Sequence, residues 1–276
     1  SDKIKTERYR MAQSLFERIR AKPVMKPFSI KNCRFMLLPA GHMPGAVMVY
    51  IQSRYQSVLY TGDFSVTSMF GMNGMRIPKE IRPETLLINA PNAYQERKVW
   101  DRILTSRDDS YKNNAYSRLE ETIRKNLQLN QNVYLISRSI PRHLDLFYFL
   151  NSAFPETQIY LEAKSQKIAD ILSDMGHQVY SSNIHIGEIP SEKGCIVVGQ
   201  EQSRAGCIPV IFDKYSLHAT PIETLDLIRQ INPGSLYMLH TCPGQDRESL
   251  EYPVKTLLPN TRVVQAVNEQ KYYLRR

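Results

Sequence analysis

His42 lies in the stretch Leu38-Pro39-Ala40-Gly41-His42-Met43-Pro44-Gly45-Ala46, and Asp63 in Val58-Leu59-Tyr60-Thr61-Gly62-Asp63-Phe64-Ser65. In each stretch a potential metal ligand follows a short apolar run and a glycine that lets the backbone turn sharply, so the side chain can converge on an ion instead of packing beneath it. Imidazole and carboxylate suit Zn²⁺ or Mn²⁺, and a carboxylate can also bridge two ions. A plainer reading stands beside this one. A histidine at a glycine turn is commonly structural, and Gly-Asp is a common turn.

The elements that must position these side chains are short strands. Arg34 to Leu38, Ala46 to Ile51 and Val58 to Tyr60 are apolar runs separated by turn residues, which predicts three adjacent strands with His42 and Asp63 at their ends. From about Asn92 the pattern changes to alternation: a helix over Ser110 to Leu129, a strand over Val133 to Ser137, a helix over Arg142 to Phe154, a strand over Gln158 to Leu161 and a helix over Ala163 to Met175. That order argues for a parallel sheet with helices on its faces. After Arg204 the chain returns to short strands, Ile208 to Phe212, Leu236 to Leu239, Arg262 to Val267 and Lys271 to Leu274, with a helix over Pro221 to Ile231. Lys3 to Ala21 carries Ile4, Tyr9, Met11, Leu15, Phe16 and Ile19 at helical spacing and reads as an amphipathic, core-covering helix.

The His42 and Asp63 stretches resemble the third and fourth motifs of the β-CASP group of metallo-β-lactamase-fold nucleases, with Gly74 to Pro78 and Arg82 to Ile88 similar to the RNA-processing branch that includes the cleavage and polyadenylation nuclease. Ser216-Leu217-His218-Ala219-Thr220 resembles the SxHAD motif of that family, and Ser235 to His240 its final strand ending in histidine. The resemblance implies an α/β protein: a metallo-β-lactamase-like αββα sandwich, incomplete here, over residues 1–92 and 206–276, with a Rossmann-like β-CASP insertion over 93–205. It further implies metal-dependent phosphodiester hydrolysis, with His42 and His240 as metal ligands, Asp63 as bridging ligand and catalytic residue, and His218 as proton donor. The expected cofactor is Zn²⁺ or Mn²⁺, at reduced occupancy or absent.

The departures from that pattern bear on activity. No HxHxDH signature is present, since Ser1 to Gly41 contains no histidine; Asn89-Ala90 stands where an acidic residue is expected, and Thr220 replaces an aspartate. Two explanations remain open: a piece whose missing leader carried the signature, the sequence opening on Ser1, or a divergent paralogue that binds RNA or a protein partner without turnover. A small-molecule metallohydrolase of the same broad fold is a third reading.

Composition sets the outer bounds. With 276 residues, 42% of them hydrophobic, the chain can bury a sizeable core. Its net charge of +9 favours polyanionic partners, with single-stranded RNA implied by the resemblance and DNA left open. No apolar run reaches the length of a membrane span, and Cys33, Cys195, Cys207 and Cys242 lack zinc-site spacing, so an intracellular setting, cytoplasm or nucleus, is expected. Leu135 to Arg142 sits at a strand-to-helix crossover, where Ser137, Ser139, Arg138 and Arg142 could hold a nucleic-acid phosphate. Capping of the helix by Ser139 is the simpler use of the same serine.

Overall fold

A computed structural model describes residues 10, 13–15, 17–66, 68, 71, 73–106, 115–138, 140–187, 193–212, 218–241, 247–267 and 270–272. Along the chain the elements are β1 (Pro27–Ile30), β2 (Cys33–Pro39), β3 (Val47–Gln52), β4 (Ser57–Tyr60), β5 (Thr85–Asn89), β6 (Tyr94–Gln95), α1 (Arg97–Ser106), α2 (Ala115–Gln128), β7 (Asn132–Ile136), α3 (Ile140–Ala153), β8 (Ile159–Leu161), α4 (Ala163–Asp174), β9 (Ile184–Ile186), β10 (Ile196–Gly199), β11 (Cys207–Ile211), α5 (Pro221–Ile231), β12 (Ser235–Leu239), β13 (Glu248–Ser249), α6 (Glu251–Leu257) and β14 (Arg262–Gln265).

Two sheets carry the fold. The first has seven strands in the order β1-β2-β3-β4-β5-β12-β14. Pairing is antiparallel from β1 to β4 and parallel from β4 through β5 and β12 to β14. Because β2 and β4 are both antiparallel to β3, the strands β2, β4, β5 and β12 all run the same way, and their carboxyl ends share one edge of the sheet. The second sheet has five strands, β11-β7-β10-β8-β9, all parallel. The molecule is therefore mixed α/β, as the alternation of elements predicts.

Side-chain alternation explains where the core lies. In the first sheet Leu38, Met48, Tyr50, Leu59, Leu86, Ile88, Leu236 and Met238 share one face and pack with Leu225, Ile228 and Ile231 of α5 and Val254 of α6. Removing that much apolar surface from water is the main term holding the unit together, about 25 cal/mol per Å² buried. The opposite face carries Phe35, Leu37, Val49 and Ile51, which are only half-buried. The second sheet reads differently because both its faces are covered: β7 is Asn-Val-Tyr-Leu-Ile with its last four residues buried, and β10 is buried throughout. Its core joins Leu119 and Ile123 of α2 to Phe147, Phe149 and Leu150 of α3.

Several expectations shift. Cys207–Ile211 pairs in register with β7, so the parallel sheet extends past the expected boundary at residue 205. The expected helix over Ser110 to Leu129 is seen from Ala115, residues 107–114 lying outside the described ones, as do 273 and 274 of the expected last strand over Lys271 to Leu274. In the amino-terminal stretch, residues 10, 13–15 and 17–18 are helical, but Leu15 and Ile19 are 55% and 62% exposed, so the described part covers no core.

Candidate metal centre

Five segments far apart in sequence supply one cluster, and strand direction brings four of them together, the turn before α5 adding His218. His42 lies three residues beyond β2, Asp63 three beyond β4, Asn89 ends β5 and His240 follows β12, all at the shared edge. The turn holding His42 is tied down by Ala40 N–H to Ala46 O (3.1 Å) and by Ser65 N–H to Ala40 O (2.9 Å), which fastens it to the Asp63 segment. Gly41 is required here. Its φ is +71°, and a Cβ would lie 2.5 Å from Met75 N and 2.6 Å from Ser65 O.

The Asp63 segment is held to its neighbours in the same way. Thr61 N–H donates to Leu87 O (3.0 Å), and Asn89 N–H to Thr61 Oγ1 (3.1 Å). Ala219 N–H donates to Phe64 O (3.0 Å), which sets His218 beside Asp63. His240 adopts a left-handed φ of 51°, turning its ring from the end of β12 toward the same point.

Within the cluster, His42 Nε2 is 3.9 Å from Asp63 Oδ2, and His218 Nδ1 is 3.9 Å from Asp63 Oδ1. The His42 and His218 rings stack at 4.9 Å between centroids. One ligand atom from each of His42, Asp63 and His218 lies within 4.8 Å of the others, so these three could hold a metal ion. His240 Nδ1 approaches Asp63 Oδ1 at 3.4 Å, and its side chain is 57% exposed. Asn89 Nδ2 donates to the same oxygen at 3.1 Å. Two imidazoles and a carboxylate, partly buried at a strand edge, are a donor set that could hold a metal ion.

Burial raises the Asp63 carboxyl, but the Asn89 hydrogen bond, the His218 and His42 rings and the His240 hydrogen bond together hold it below the ordinary carboxylate range. It is therefore ionised, as a ligand must be. Burial depresses His218, with Asp63 opposing and His42, His240 and Arg142 adding to the depression, which favours the neutral ring that can bind a metal.

The sequence reading singled out all four of these charged or ligating residues, and the structure brings them together, with His218 rather than His240 completing the compact trio. Asn89 enters the sequence reading only within the Asn89-Ala90 stretch that lacks an expected acid; its signal is an amide at the end of a strand beside Asp63. The residues expected to hold phosphate fare differently. Ser137 is fully buried, its Oγ 3.4 Å from His143 Nδ1, while His143 Nε2 is 3.2 Å from Ser165 Oγ, so Ser137 faces the interior. Arg142 is buried at 6% exposure, in the field of Asp145 and His218. Arg138 is exposed and donates from Nε to Gln200 O (3.3 Å). Ser139 lies outside the described residues.

No family model matches the chain, and no curated protein matches it. Its fold is similar to the crystal structure of a protein of unknown function from Enterococcus faecalis V583, with a TM-score of 0.57 at 15% identity, over 91% of this chain and 66% of that one. At that identity the likeness is one of fold alone, and the chain spans just under two thirds of the length of the protein it matches.

Proposed function

We propose that the chain is a metallo-β-lactamase-type protein with a β-CASP insertion, and that its cluster serves metal-dependent hydrolysis of phosphodiesters in RNA. The observation that carries this reading is the convergence of His42, Asp63 and His218 at one sheet edge from segments that share nothing in sequence but their placement after strands or before a helix. His42, Asp63 and His218 would hold the Zn²⁺ or Mn²⁺ ion, which would supply Lewis acidity toward a phosphoryl oxygen and acidify a bound water. The protein's own groups do the rest. Asn89 and His240 fix the Asp63 carboxylate, and His240 is the imidazole that solvent and a leaving group reach most readily, which favours it over His218 for proton transfer. The net charge of +9 supports a polyanionic substrate.

A second reading, RNA or partner binding with little turnover, is favoured by the small donor set and by Asn89 in place of a carboxylate. Incubating labelled single-stranded RNA and the matching DNA with the protein and Mn²⁺ or Zn²⁺ separates the two. Slow, metal-dependent RNA cleavage lost in His42→Ala supports hydrolysis. Salt-sensitive binding without cleavage supports the second reading, and neither cleavage nor binding rejects both.

A further inference from the structure

We infer that the second sheet carries a binding site for a small zwitterion of the α-amino-acid class, in the cavity at the carboxyl ends of β8 and β10. The inference is independent of the strand-edge cluster and of any metal. Topology sets the place. The chain leaves β8 through α4 toward β9, at one edge of the sheet, and leaves β10 through residues 200–206 toward β11, at the other. Because β8 and β10 are parallel neighbours, their connections part at that point and open a crevice outside the strand ends, where open parallel sheets bind ligands. The cavity of about 630 Å³ lies there, with Leu161, Glu162 and Lys164 on the β8 side and Gln200, Glu201 and Arg204 on the β10 side. That volume is within the range of small-molecule pockets.

The charges across the cavity form two ion pairs of opposite sense. Arg204 of the β10 side meets Glu162 of the β8 side at 2.6 Å, and Lys164 of the β8 side meets Glu201 of the β10 side at 3.5 Å. The two pairs differ in permanence. Glu162 is held through both oxygens, since the fully buried Tyr134 donates its hydroxyl to Oε2 at 2.8 Å and Arg204 Nη1 donates to Oε1. Glu201 N–H donates to the same phenol oxygen at 3.1 Å, and a Cβ at Gly199 would collide with both the phenol and the carboxylate, so this pair is a fixed wall. The Lys164 and Glu201 side chains are 68% and 69% exposed, and a pair so well solvated holds its partners weakly. It is free to exchange partners with a ligand.

The exchange selects the charge of the ligand. An α-carboxylate takes the Lys164 ammonium and an α-ammonium takes the Glu201 carboxylate, so each member of the opened pair keeps an opposite charge. An anion alone would leave Glu201 without one, and a cation alone would leave Lys164 without one; either mismatch forfeits a charge-assisted hydrogen bond. The lining's two acids and two cations sum to zero, which matches a ligand of no net charge. The Gln166 and Gln200 amides, each both donor and acceptor, also line the cavity and suit a polar side chain on the ligand.

The test uses the intact 276-residue protein without added metal or RNA. Each standard L-amino acid is titrated singly, by ligand-observed NMR and calorimetry, beside its N-acetyl form, which lacks the ammonium, and its carboxamide, which lacks the carboxylate. At least one free amino acid is expected to bind, with both derivatives weaker by about 10-fold or more. Glu201→Gln and Lys164→Gln should each weaken the free amino acid about 10-fold, and Lys164→Gln should turn the preference toward the carboxamide, because the lining then carries net negative charge.

No binding by any amino acid, an N-acetyl form that binds as tightly as the free one, or an affinity that either variant leaves unmoved would overturn the inference. Both substituted side chains are exposed, and thermal unfolding checks that the variants fold. If either does not, the comparison of derivatives on the wild-type protein decides alone. None of these outcomes bears on RNA cleavage, so this inference and the hydrolase reading fail separately.

Discussion

Asp145 shows how one side chain couples the segment after Asp63 to the second sheet. It is 3% exposed on α3 and accepts from Gly71 N–H at 3.4 Å, while Gly71 sits so close to Leu144 and Tyr148 that a Cβ would meet them at 2.7 Å. Burial pushes its carboxyl up from 3.8 to about 6, against the pull of the Gly71 N–H and the Arg142 charge. The sign of the consequence follows from proton counting. Between roughly pH 4 and 6 the folded state binds more protons than the unfolded one, so stability falls as pH rises through that window and then levels off. At about 1.4 kcal/mol per unit, the total is at most about 3 kcal/mol. Asp145→Asn mimics the neutral carboxyl, so urea unfolding should show that slope abolished and a gain of about 1–3 kcal/mol at pH 7.5. Identical slopes for variant and wild type would mean that the carboxyl stays ionised in its buried place.

At the scale of elements, Thr220 separates what the sequence made legible from what it did not. Measured against a motif, it is a lost aspartate; in the structure it is the N-cap of α5, its Oγ1 accepting from Glu223 N–H (3.3 Å) while Glu223 Oε2 accepts from Thr220 N–H (2.8 Å). Thr-x-x-Glu ahead of an apolar run is a capping-box signature readable from sequence alone, and it fixes the turn that presents His218. Thr220→Ala is expected to cost about 1 kcal/mol, with Thr220→Ser within about 0.5 kcal/mol of wild type, measured by chemical unfolding. Equal stability of the Ala and Ser variants would show that the box contributes nothing. Helix α5 and strands β2 to β4 were legible because their periodicity is local and their ends carry glycine or proline. The short strands β1 and β9 were not, being three or four residues long with little alternation to read. The pairing of β11 with β7 was invisible for a different reason, since register between strands some 70 residues apart depends on tertiary burial and leaves no local periodic mark. Likewise, the histidines and Asp63 stood out by type, but the use of Oδ1 by Asn89 depends on a distance that only folding sets.

For the molecule as a whole, the proposed RNA reading turns on where the net charge of +9 would meet a polyanion. At the carboxyl ends of the second sheet, a cavity of about 630 Å³ is lined by Glu162, Lys164, Gln200, Glu201 and Arg204. Its cations already face acids, Arg204 on Glu162 at 2.6 Å and Lys164 on Glu201 at 3.5 Å, so the cavity itself offers little net attraction. Arg138 follows β7 at the same edge, is exposed, and donates from Nε to the carbonyl of Gln200. Arg142, two residues into α3, is buried, so reversing its charge would act on folding before it acted on binding. If the chain binds single-stranded RNA as proposed, affinity should weaken steeply with salt, by about 0.7 in log–log slope per neutralised phosphate, and if the RNA passes the β7 edge, Arg138→Glu should weaken affinity and lower the slope by about 0.7 or more. Arg142→Glu should instead lower the melting temperature markedly, and any loss of binding should track the loss of folded protein. Fluorescence anisotropy across a salt series, run beside thermal unfolding, checks both. A slope unchanged by Arg138→Glu would place the RNA path away from the β7 edge, and binding lost by a fully folded Arg142→Glu would show that this guanidinium reaches substrate from its buried position beside His218.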